Sequence, residues 1–212
     1  MDDRLKIERK RIFYSMVFPL AFLFLMFTVR LVESLENAQW YFLGVKPLSF
    51  EGLLGIITAP LIHADWGHFL ANAGPFLVLA SVLFYVYRDI AFKVFFWIYF
   101  LSGVWLWFGA RAAWHIGASG LVYGMASFLF LSGIIRNYVP LIAVSMLVIF
   151  LYGGLFWGLF PLEWPVDYSW EAHFWGTLAG GVVAVVYRHE GPQKPPVEDD
   201  EESDGDWDDI MN

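Results

Sequence analysis

His115-Ile116-Gly117-Ala118-Ser119-Gly120-Leu121-Val122-Tyr123-Gly124 sets one serine between glycines, at the start of an apolar run that continues to about Ile135. A hydroxyl entering hydrocarbon must find a hydrogen-bond partner, so a serine here needs a reason to be present. The flanking glycines let the backbone turn sharply and let a second helix, or a substrate, approach closely. By itself the motif reads in two ways. Ser119 can bond back to a carbonyl one turn earlier inside a small-residue helix contact, or it can be a reactive group. The surrounding chain decides between them.

The chain has 212 residues, of which 58% are hydrophobic and 20% aromatic, and its mean hydropathy is +0.56. Soluble domains are typically about 45–50% apolar, and here the apolar residues fall in blocks near the length of a bilayer span, about 20 residues. The fold class expected is all-α, a polytopic membrane bundle of six helices embedded in the lipid bilayer. The absence of cysteine excludes disulfides and thiolate metal sites. The net charge of −8 is carried by the C-terminus: from Glu190 onward there are ten acidic residues against Lys194, leaving 12 basic and 11 acidic residues in the rest of the chain. No basic surface for nucleic acid is present.

Read in order, residues 1–11 form a basic N-terminus with Arg4, Lys6, Arg9, Lys10 and Arg11. The first apolar run, about 12–29, is long for a signal peptide and lacks a small-x-small cleavage site, so it reads as an uncleaved span. Residues 31–66, broken by Pro47, Pro60, Gly44, Gly52 and Gly55, read as a structured loop with Trp40, Tyr41 and Trp66 at headgroup depth. Further spans are expected at about 67–87, 92–108, 119–136, 138–160 and 170–187. The six-span membrane domain is thus 12–188, and 189–212 is an acidic, proline-containing tail expected to be disordered. Ten Lys and Arg residues lie on the side shared by the two termini. Only Arg30, Lys46 and Arg111 lie on the other. That asymmetry puts both termini in the cytoplasm of a multi-pass protein of the cell (plasma or inner) membrane.

With this orientation, polar residues from three spans meet at one depth near the outer side. Ser119 opens span four. His173 lies near the outer end of span six, followed by Gly176 and Gly180. Gly120 and Gly124 form a matching small face below Ser119, so packing of these two faces would bring the imidazole to the hydroxyl as general base to nucleophile. Tyr123, one turn after Ser119, shares its helix face and is placed to pack under the imidazole. No acidic residue is placed to orient the base, so a dyad fits better than a triad. His68 and Asn72, four apart on span two, offer N–H donors for a developing oxyanion beside the Ser119 backbone N–H. His63 reads as a loop tether and Asp65 as the N-cap of span two. The His63–His68 spacing is five with no intervening glutamate, unlike zinc-protease helices; no metal and no cofactor are expected.

Taken together, His63-x4-His68-x3-Asn72, Gly117-Ala118-Ser119-Gly120 with Tyr123, and Ala172-His173-x2-Gly176-x3-Gly180 resemble the rhomboid family of intramembrane serine proteases over about residues 50–188. The resemblance implies Ser119 as nucleophile, His173 as base, Tyr123 as support for the imidazole, and Ser119, His68 and Asn72 as the oxyanion hole. It also implies single-span membrane protein substrates, cut near the outer end of their helix. Many members carry a Trp-Arg pair in the first loop; residues 31–66 contain no arginine. The alternatives are a non-catalytic relative that binds transmembrane helices, and a transporter. A transporter would need ionisable groups along a path through the midplane, whereas here they gather on one side. Span five, rich in aromatic residues (Phe150, Tyr152, Phe156, Trp157), is the candidate gate for a substrate helix.

Overall fold

Apolar runs stopped by charge, glycine or proline become the helices. In the computed structural model, which describes residues 3–162 and 168–196, α1 covers Asp3–Leu35, α2 is a single turn at Gly55–Thr58, and α3 covers Trp66–Val86. Then follow α4 (Ala91–Gly109), α5 (Ser119–Arg136), α6 (Val139–Tyr152) and α7 (Trp170–Val186). Among the described residues there is no strand, only an isolated antiparallel bridge between Val45 and His115. Five stretches are long and apolar enough to cross a membrane: α1, α3, α4, α5, and α6 taken with its continuation to Leu159. The 17-residue α7, rising about 25 Å at 1.5 Å per residue, completes the six-helix bundle of this multi-pass membrane protein. The acidic run of the tail, 197–212, lies outside the described residues.

Two spans depart from the sequence reading. The first begins at Asp3, so the basic N-terminus is helical and continuous with the span. The fifth does not stay α-helical to residue 160. It passes at Gly153-Gly154 into a 3-10 segment, Gly153–Leu159, because paired glycines are poor helix formers and the tighter winding re-satisfies the last carbonyls.

Helix α5 is central and packs against α3, α4, α6 and α7. Its face toward α7 is made of glycine. A Cβ built on Gly176 would lie 2.9 Å from the Cα of Gly120, and one on Gly180 3.0 Å from the Cα of Gly124. Only hydrogen fits between these backbones. On the other side Phe18 and Phe22 of α1 interlock with Phe76, Phe84 and Phe95 of α3 and α4 through stacked and edge contacts. At the far end of α5, Asn137 closes the helix in the left-handed region, φ 47°, a conformation asparagine tolerates. Beside it the buried Arg136 guanidinium donates to Ser132 Oγ and to the carbonyls of Tyr187, Glu190 and Pro192. The chain beyond α7 is therefore held to the bundle as far as Pro192.

The connection from α1 to α3 is a compact structure of short turns, tied down by specific bonds. Arg30 donates to the His63 carbonyl at 3.0 Å, Glu33 accepts the Trp40 N–H at 2.9 Å, and the Trp107 indole donates to Ser49 at 3.0 Å. Helices α3, α5 and α7 run in the same direction. Their N-terminal ends therefore lie on the same side as this connection.

Candidate active site

Ser119 is the first residue of α5, with Ala118 at its N-cap. The first N–H groups of a helix have no intrahelical acceptor, and they carry the positive end of the helix dipole. The turn that delivers the serine there depends on Gly117, whose φ of +103° lies in the region that excludes most side chains. The backbone of Gly117 is held by a 2.9 Å bond from its N–H to the Ala59 carbonyl.

His173 lies one turn into α7. Its ring is stacked on Tyr123, with centroids 4.1 Å apart and planes 5° from parallel, and the ring of Tyr168 runs nearly parallel to it at 5.7 Å. His173 Nδ1 lies 2.8 Å from the carbonyl oxygen of Gly158. A carbonyl only accepts, so Nδ1 carries the proton and the neutral ring keeps its lone pair on Nε2. That is the tautomer a general base needs. Gly158 belongs to the 3-10 segment after α6; a Cβ there would stand 3.2 Å from both His173 Nδ1 and Tyr123 Cζ.

Two donors come from α3. Asp65 caps that helix by accepting the His68 N–H at 2.8 Å, and this bond holds its carboxyl below the usual carboxylate range. His68 Nδ1 accepts the Ala64 N–H at 3.4 Å, which leaves Nε2 as the N–H side of the ring. A Cβ on Gly117 would meet that Nε2 at 2.6 Å and the Asn72 amide nitrogen at 3.8 Å. Both groups therefore crowd the turn two residues before Ser119. Asn72 is buried and uses one amide proton on the His68 carbonyl at 2.9 Å, keeping the second. One cavity of about 530 Å³ is lined by Ser119, His173, Tyr123, His68 and Asn72 together.

A model of the rhomboid domain matches residues 51–190, the segment that holds every one of these groups. The chain belongs to the rhomboid family. Relatives of this rhomboid include uncharacterized proteins of Mycobacterium tuberculosis and Mycobacterium bovis, each 34% identical over 174 residues, covering 79% of this chain and 72% of theirs. An uncharacterized protein of Mycobacterium leprae is 32% identical over 182 residues, covering 79% of this chain and 69% of its own.

The rhomboid site also contains groups that the sequence pattern does not single out. The Gly158 carbonyl is a backbone acceptor and leaves no side-chain signature. Tyr168, Ser169, Arg111 and His115 line the same cavity; a serine just before Trp170-Glu171 is an N-cap signal, and the other three carry none. His63 stands behind His68, their rings 5.1 Å apart, outside the cavity wall. Burial, then the neighbouring His68, pushes the His63 imidazole down to about 4, and its Nδ1 faces the Leu61 carbonyl at 3.3 Å. Among the described residues no group of three or more His, Cys, Asp or Glu side chains could hold a metal ion.

Proposed function

We propose that this rhomboid is an intramembrane serine endopeptidase that cleaves single-span membrane proteins near the outer end of their transmembrane helix. The observation that carries the reading is the His173 ring. Its Nδ1 is committed to the Gly158 carbonyl and its face to Tyr123, in the same cavity that Ser119 lines. In this reading Ser119 Oγ attacks the scissile carbonyl and passes its proton to His173 Nε2. The oxyanion is received by the Ser119 backbone N–H, His68 Nε2–H and the spare Asn72 amide proton. The protonated imidazole then gives its proton to the departing amine. Water attacks the resulting acyl-enzyme through the same base, and Ser119 is released.

The cavity also answers why a transmembrane helix would open there. A backbone in lipid cannot afford unpaired N–H and C=O groups, and the polar wall supplies partners for an unwound segment. The asymmetry of Lys and Arg supports a reading with both termini in the cytoplasm of the cell membrane and the cavity toward the outer side. The test is labelling of the purified protein by a fluorescent fluorophosphonate beside Ser119→Ala and His173→Ala, with cleavage of a test helix in parallel. Wild type alone should react, and both variants should lose on the order of 10⁴-fold in cleavage. Undiminished cleavage by Ser119→Ala would overturn the assignment. A folded wild type that binds helices but never labels would turn the reading to a non-catalytic helix binder.

A further inference from the structure

A second serine–histidine pair stands in the wall of the same cavity. His115 is buried, with 2% of its surface exposed. Its Nδ1 lies 2.6 Å from Ser169 Oγ, and its Nε2 lies 3.0 Å from the Arg111 carbonyl. The carbonyl requires Nε2 to be the donor, so Nδ1 accepts and Ser169 donates its hydroxyl proton. The same Ser169 oxygen accepts the Ala172 N–H at 3.3 Å as the N-cap of α7. Both functions of this hydroxyl are thus occupied by structural partners. His115 is itself fixed to the first loop, exchanging backbone bonds of 2.8 and 2.9 Å with Val45. Alongside, Arg111 donates to the Tyr168 carbonyl at 2.9 Å and pairs with the buried Glu171 at 3.6 Å.

The spacing gives the pair its meaning. His115 precedes Ser119 by four residues and Ser169 precedes His173 by four, and Ser119 itself opens α5 while His173 is one turn into α7. The bond therefore joins the segment that delivers the nucleophile to the segment that delivers the base. Below the cavity the same two helices meet on Gly120 with Gly176 and Gly124 with Gly180. Both glycine contacts lie on the inner side of Ser119 and His173, and the hydrogen bond joins the segments on their outer side.

We propose that His115 and Ser169 are positioning residues: their hydrogen bond clasps the outer ends of α5 and α7 and sets the separation of Ser119 from His173. The proposal rests on the serine-protease reading above. A misplacement of about 1 Å in such a pair costs on the order of 100-fold in rate, so loss of one clasping bond should cost about 10- to 100-fold in kcat and leave KM nearly unchanged.

The experiment compares full-length wild type with Ser169→Ala, His115→Leu, the double variant, and the conservative Ser169→Thr and His115→Gln. Fluorophosphonate labelling is located by mass spectrometry on the Ser119 peptide, and kcat and KM are measured on a test helix. Spin labels on cysteines placed at Ala112, in the segment leading into α5, and at Leu178 on α7, both exposed in a chain without native cysteine, give the spacing of these two segments independently of activity. The expected result is a fall in kcat for both disrupting variants, a double variant no worse than either single, recovery with Thr and Gln, and a broadened label distance in each disrupting variant. A serine that acts only as a helix cap would give a different pattern: Ser169→Ala would fall while His115→Leu kept wild-type kcat and a narrow distance. That result, additive losses, or labelling at Ser169 instead of Ser119 overturns the clasp. Wild type that fails to label anywhere defeats the protease reading, and the spin-label distances then decide the clasp alone.

Discussion

Gly176→Ala tests most directly how α5 and α7, the helices of the proposed dyad, are held. The added Cβ would stand 2.9 Å from the Cα and carbonyl carbon of Gly120, and closer still to its oxygen. Carbon atoms meet comfortably at about 3.5–4.0 Å. Both partners are helix backbone, and no side chain can swing aside, so α7 must back away by about 1 Å. Overpacking of this kind costs about 1–3 kcal/mol of stability. Gly176 is three residues after His173 and Gly120 directly follows Ser119, so the displacement falls on the dyad almost undiminished. A 1 Å error there is worth on the order of 100-fold in rate. The assay is the rate of fluorophosphonate labelling at Ser119 in detergent, with thermal unfolding measured on the same samples. Gly74→Ala is the control, since nothing lies within 4 Å of its Cβ position; it should label like wild type. A Gly176→Ala protein that labels within about twofold of wild type would refute the claim that close glycine packing sets the dyad.

Three further outcomes are expected. Gly158→Ala, whose Cβ would press on Tyr123 and on His173 Nδ1 at 3.2 Å, should slow labelling by about tenfold with little change in thermal stability, and an unchanged rate would remove Gly158 from the site. Stability should fall as pH drops: His63 loses its proton at about 4 in the fold but near 6.5 when unfolded, so its contribution is complete above about 6.5 and is lost toward 4 by about 3 kcal/mol. Burial moves His115 in the same direction; thermal melts from pH 7 to 4.5 should show the slope, and His63→Gln should flatten it. Arg136→Leu leaves the Tyr187, Glu190 and Pro192 carbonyls without their donor. It should cost about 1–3 kcal/mol and expose the segment after α7 to limited proteolysis, and equal protease resistance would count against that tie.

The spans were legible in the sequence because each is an apolar run bounded by charge, glycine or proline, and α3, α4, α5 and α7 begin and end within a residue or two of those signals. Ser119, His173, His68, Asn72 and Tyr123 were legible as a set because helical spacing and chain direction alone put them at one depth, and the structure gathers all five around one cavity. What escaped has physical reasons. Gly153-Gly154 sits inside a run that hydropathy cannot interrupt, so the change of winding in α6 left no apolar signal. The acceptor for His173 Nδ1 is a main-chain carbonyl, and every residue but its geometry would serve equally. Arg136 reads as the polar end of a span, and only the return of the chain after α7 turns it into a buried hub.

The helices of the proposed dyad and the element that would orient its base are held very differently. Helices α5 and α7 are joined on glycine below the cavity and by His115 with Ser169 above it. The Gly158 carbonyl instead rides on the continuation of α6, where Phe156 and Trp157 are more than half exposed and no residue of the 3-10 segment is buried. In the proposed function a helix entering beside α6 would displace these aromatic side chains, and Gly158 is next in the chain to Trp157. Any outward swing of that segment withdraws the acceptor from Nδ1 and frees the imidazole to rotate against Tyr123. On the proposed function, access and base orientation would thereby be linked through a single residue step, and the base would be fully aligned only with residues 153–159 in the position seen here.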